Sequence, residues 1–110
     1  KQHKNMIAKL KELLGIKPAP NYNELLQEGG MIIDVRTKAE FSNGHIKGSK
    51  NIPLQALPEN LNKLKKDKPI ITCCASGMRS ASAKSMLKSN GFSNVYNGGS
   101  WTRLNSQISK

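Results

Sequence analysis

Apolar residues recur along the 110-residue chain in two rhythms, and the alternation between them predicts alternating helices and strands. Met6, Ile7, Leu10, Leu13 and Leu14 follow helical spacing, so residues 5–14 are expected to form an amphipathic helix, with Gly15 where a stop belongs. Pro18 and Pro20 then stiffen a short break. Residues 1–19 are thus expected to be an N-terminal helix and linker, followed by one domain over residues 20–110. Within that domain a brief helix is expected over 22–28, capped by Asn21 or Asn23. The apolar run Met31–Val35 predicts a buried strand. Thr37 and Glu40 fit a capping box, so a helical turn should start right after it. Asn43 and Gly44 mark a turn, and Asn51–Pro53 a second short strand. Pro58 suits the first turn of a helix carrying Leu61 and Leu64. Ile70, Ile71 and Thr72 lead into Cys73 as a third strand. A helix over 79–89 carries the stripe Ala83, Met86 and Leu87, and Gly91 ends it. Asn94–Tyr96 predicts a last strand, Gly98 and Gly99 a turn, and Trp101 with Leu104 a C-terminal helix. Strands alternating with helices imply an α/β fold with a mainly parallel sheet.

Charge and cysteine usage narrow the classes. The formal net charge is +11, and all but three of the 18 basic residues are lysines. Aromatic residues do not interleave with the lysines, so nothing supports binding of single-stranded nucleic acid by base stacking, and no nucleic acid partner is expected. A solvated basic surface is the expectation, with contact between residues 5–14 and an anionic membrane as its alternative. The two cysteines are adjacent, which rules out an ordinary disulfide framework. No run approaches the ~20 apolar residues of a membrane-spanning helix. A cytoplasmic location is expected. Because the chain begins at Lys1, a removed leader leaves a periplasmic or membrane-associated location as the alternative.

The chemistry concentrates in Ile70–Ala83. An apolar strand ends in cysteine, a loop of small residues follows, and a helix begins near Ser80. Such a loop turns backbone N–H groups inward and adds the positive end of a helix dipole, which together make an anion cradle. A cysteine at its start is stabilised as thiolate, the nucleophilic form. Residues alternate sides along a strand, so Cys74, at the loop's mouth, should face the cradle, and Cys73 should pack into the sheet. Ala75 and Ser76 keep the wall low, Gly77 permits the inward turn, and Arg79 adds positive charge before Ser80. This reading needs the sulfur of residue 74 to be ionised and not sealed in the core.

Several blocks together resemble the rhodanese family: Asp34-Val-Arg36, Glu40-Phe41, Gly44-His-Ile-Lys-Gly48, Asn51-Ile-Pro53, Cys74-Ala-Ser-Gly-Met-Arg-Ser80, and Val95-Tyr-Asn-Gly-Gly99 before Trp101. The resemblance covers roughly residues 20–105. It implies a rhodanese-like three-layer fold, with helices flanking a mainly parallel central sheet. It also implies a sulfurtransferase in which Cys74 takes a sulfane sulfur from thiosulfate or a persulfide donor. The acceptor would be cyanide, a thiol or a protein partner, with no cofactor and no metal. The loop residues Ala75, Ser76, Gly77, Met78, Arg79 and Ser80 would hold the transferred group. Arg36 would help bind an anionic donor, and Asp34 would orient loop amides or Arg79. Glu40 and His45 look like scaffold residues. The neutral Ala75 and Ser76 depart from thiosulfate-using members, some of which place basic residues there. The alternatives are a non-catalytic binding module and a phosphatase or arsenate reductase. The six-residue loop from Cys74 to Arg79 is one residue shorter than in those enzymes.

Overall fold

The structure, a computed structural model, describes residues 20–108, so the helix expected over 5–14 lies outside the described residues. The chain alternates as the pattern predicts. Helix α1 (Tyr22–Gln27) starts where Asn21 Oδ1 accepts from the Glu24 amide. Strand β1 (Met31–Asp34) follows, then helix α2 (Lys38–Ser42), opened by the full Thr37–Glu40 capping box. Strand β2 (Lys50–Asn51) is short, and β3 (Ile70–Cys74) is buried throughout. Helix α3 (Met78–Ser89), strand β4 (Val95–Ser100) and helix α4 (Trp101–Ile108) complete the domain.

All pairings are parallel, in the order β2-β1-β3-β4. Side-chain alternation splits the core into two layers. Ile33, Ile70 and Cys74 join Leu57, Ala83, Leu87 and Phe92 on the α3 side. Ile32, Ile71 and Cys73 join Leu104, with Leu25 and Trp101 packed against them, on the α1–α4 side. The molecule is therefore a three-layer α/β/α sandwich. Each fully buried aliphatic side chain such as Leu87 stabilises it by about 1.5–3 kcal/mol. Among the described residues no helix is long and apolar enough to cross a membrane.

Two expectations need correction. Leu54–Lys63 is a 3-10 segment with Pro58 inside it, not an α-helix that Pro58 opens. Pro58 has no N–H to give to a carbonyl four residues back, and its ring crowds the preceding turn, so the segment takes tighter three-residue turns. Leu64 lies just past its end. The second correction concerns Gly98 and Gly99, which lie inside β4 and make no turn. A Cβ on Gly98 would stand 2.9 Å from both Leu104 Cδ2 and the Thr72 carbonyl oxygen. Glycine is needed there for close approach of the backbone to its neighbours. The β3–β4 register shifts between Thr72 and Cys74, so β4 bulges at the glycines and runs on to pair Ser100 with Cys74.

Candidate active site around Cys74

Chain direction across the sheet reverses between β1 and β3, and in open parallel sheets sites gather beyond the strand ends at such a point. Cys74 is the last residue of β3 there. Its Sγ accepts from the Gly77 amide at 3.0 Å and from the Ser80 amide at 3.4 Å. Ser80 is third in α3, so its N–H is one of the orphan donors of a helix start. Gly77 has φ 103°, a left-handed conformation that turns the chain from the loop into α3. Loop length, small residues and helix onset thus act together on one atom.

Ser80 Oγ lies 3.5 Å from Sγ, but its single proton has competing acceptors. The nearest is Asn97 Oδ1 at 2.6 Å, which also accepts from the Gly99 amide at 2.9 Å. Asn97 Nδ2 in turn donates to the Gly77 carbonyl at 3.3 Å. These bonds fix which end of the Asn97 amide is oxygen. The neutral Cys74 thiol donates to Ser80 Oγ, and Ser80 donates to Asn97. Once the thiol ionises, the hydroxyl gains a reason to swing to sulfur.

The two cysteines share one exposure, 0%, and differ in surroundings. Burial pushes the Cys73 thiol up to about 12, with the Asp34 carboxylate adding to the effect. Burial also pushes Cys74 up, but hydrogen bonds from Ser80, Gly77 and Ser76 outweigh it and hold the thiol below its ordinary value. Period-2 alternation therefore separates the pair as expected. The complete cover on Cys74 departs from expectation. Ala75, Ser76 and Met78 above it are exposed, Met78 by 78%, so the sulfur lies one layer beneath the surface under the loop itself.

Arg36 and Asp34 correct the sequence reading. Arg36 is 4% exposed and turned inward. It forks onto Asp34 through Nε and a 2.6 Å bond, and gives further bonds to the Glu40 and Gly44 carbonyls. Its guanidinium stacks 4.6 Å from the Trp101 ring. Asp34 is spent on Arg36, not on Arg79 or the loop amides, because a buried carboxylate needs the nearest multidentate donor. Arg79 instead forms a two-pronged pair with Glu40, at 2.7 and 3.0 Å. That pair, with the Thr37 amide, holds the Glu40 carboxyl down at about 2. The charge expected from Arg79 is thus largely neutralised. His45 keeps a scaffold role, with Nδ1 2.8 Å from the Phe41 carbonyl and its ring stacked on Phe41.

Two clefts flank the loop. One, about 110 Å³, lies beside Val35, Pro53, Leu54 and the paired Arg79. The other, about 350 Å³, runs from Ser76 along β4 to Arg103. Asn97 lay in the Val95–Gly99 block without an assigned role, and Arg103 was not singled out in the sequence. The bulged end of β4 brings Asn97 to the loop, and α4 sets Arg103 on the cleft wall.

A family model described as Rhodanese-like domain matches residues 18–103. The chain is 42% identical over 66 residues to the uncharacterized protein YqhL of Bacillus subtilis, covering 60% of this chain and 52% of that one. It therefore spans about half the length of that relative. It is 35% identical over 79 residues to the thiosulfate sulfurtransferase GlpE of Stutzerimonas stutzeri, covering 72% of each. The solved rhodanese-like domain protein of Staphylococcus aureus superposes with a TM-score of 0.63 at 33% identity, covering 88% of this chain and 82% of that one.

Proposed function

The chain belongs to the rhodanese-like domain family, and from that premise and the surroundings of Cys74 we propose that it is a sulfurtransferase that carries sulfane sulfur as a persulfide on Cys74. The Cys74 thiolate attacks the outer sulfur of thiosulfate or of a persulfide. The sulfur–sulfur bond of the donor breaks, and sulfite or a thiolate leaves with the electron pair. A new bond joins the outer sulfur to Sγ, and the charge now sits on that outer sulfur. Amides of the 75–80 loop stabilise it, as donors aimed at a developing anion do in other sites. A thiolate or cyanide then attacks the outer sulfur and frees Cys74, so the kinetics should be ping-pong.

The observation that carries this reading is the pair of amides, from Gly77 and Ser80, converging on one sulfur. Because that sulfur is covered, each half-reaction requires the loop over it to part. Relatives named thiosulfate sulfurtransferase support the same class. The full cover on Cys74 is the one feature that favours a non-catalytic binding module. Intact mass after treatment with thiosulfate or a small persulfide decides between them. One added sulfur on the wild-type chain and none on Cys74→Ser is the expected result. No gain with any donor supports the module, and a gain retained in Cys74→Ser moves the nucleophile elsewhere.

A further inference from the structure

The larger cleft beside the loop is not needed for thiosulfate, which is only a handful of atoms. At about 350 Å³ it falls in the size range of small-molecule sites. Its wall is built of hydrogen-bonding groups from Tyr22, Ser76, Asn97, Ser100 and Gln107, and of the Arg103 guanidinium, with no carboxylate among them. Of the three arginines, Arg36 is tied to Asp34 and Arg79 to Glu40, while Arg103 has no salt bridge among the described residues. Gly99 forms part of the floor, and a side chain there would project into open space.

The cleft is joined to the sulfur in three ways. Ser100 is the register partner of Cys74. Ser76 belongs both to the cleft wall and to the loop that covers Sγ. Asn97 holds Ser80 and the Gly77 carbonyl, the two residues whose amides bind the sulfur. The smaller cleft lacks a free cation, because its Arg79 is already paired.

We infer that this cleft binds the body of a low-molecular-weight thiol bearing a carboxylate, with Arg103 as the anchor and the thiol's sulfur directed past Ser76 toward Cys74. A guanidinium and a carboxylate match in fork geometry, and the neighbouring hydroxyl and amide groups suit a peptide-like skeleton. As donor, the ligand arrives as its persulfide, its outer sulfur bonds to Sγ, and the inner sulfur leaves as thiolate. As acceptor, the same thiolate attacks the carried sulfur and leaves as the persulfide. The inference takes its ligand's chemistry from the sulfurtransferase reading but is tested apart from it.

The probe is S-methylglutathione, which carries carboxylates and cannot react, titrated into the Cys74→Ser chain and followed by amide NMR. Saturable shifts at Ser76, Gly99 and Ser100 are expected. Binding should weaken about tenfold in Arg103→Gln, and by a similar factor for the probe's diethyl ester. Absence of saturable binding, shifts confined to other surfaces, or an affinity unchanged by Arg103→Gln overturns the cleft. With glutathione persulfide as donor to the otherwise wild-type chain, Arg103→Gln should raise KM about tenfold with kcat within about twofold. A fall in kcat at constant KM also overturns it. If Cys74 takes sulfur from no donor, the sulfurtransferase reading falls while the titration still judges the cleft.

Discussion

At Cys74 burial and hydrogen bonding oppose each other, and hydrogen bonding prevails. Loading with sulfur should therefore rise with pH to a midpoint below the ordinary thiol value of 9.0. Ser80→Ala removes the hydroxyl but keeps the two amides, so the midpoint should move up by less than a full loss of the cradle would cause. A stopped-flow pH profile of persulfide formation measures both, and identical midpoints in the two proteins would deny Ser80 any part. That Cys74 and Cys73 face opposite layers was legible in the sequence, because strand alternation is a property of the backbone alone. The roles of Arg36 and Asp34 were not. Sequence spacing puts both at the end of β1, but whether a guanidinium faces a ligand or a carboxylate depends on which acceptors the fold leaves within its reach. Here Asp34 and the Glu40 and Gly44 carbonyls take it.

At the level of elements, the strongest local signals held: the Thr37–Glu40 box, the apolar run of β3 and the stripe of α3. Each is a short-range rule that distant contacts do not reverse. Pro58 and the paired glycines misled because each has two structural uses. Proline opens helices and also survives in 3-10 turns; glycine makes turns and also admits close neighbours. The second use decides at Gly98, so Gly98→Ala should destabilise the domain by about 1–3 kcal/mol through crowding against Leu104 and Thr72. Chemical denaturation checks this, and a loss of only a few tenths would mean that the strand shifts freely.

Across the whole molecule, the Glu40–Arg79 pair links the α2 segment to the start of α3, and so ties together the connections that leave β1 and β3. The Glu40 carboxyl is held near 2 against an ordinary 4.5. A depressed carboxyl contributes stability in full above its unfolded value and loses it as the pH falls toward its folded one. The stability gap between wild type and Glu40→Gln should thus shrink as pH falls from about 4.5 to about 2. Thermal melts across that interval test it, and a gap that stays constant would show that the pair is not linked to proton uptake. The parallel strands were legible from alternation and the three layers from the family resemblance, whereas this tie was not, since its partners stand 39 positions apart. The roof over Cys74 has a consequence of its own. A readily ionised thiol in the open is an early casualty of peroxide, which drives it through sulfenic to irreversible sulfonic acid. Shelter beneath Ala75–Met78 makes such damage depend on how often the covering segment lifts, so on the proposed mechanism the motion that lets a sulfur donor in also sets how long the thiol survives oxidative stress.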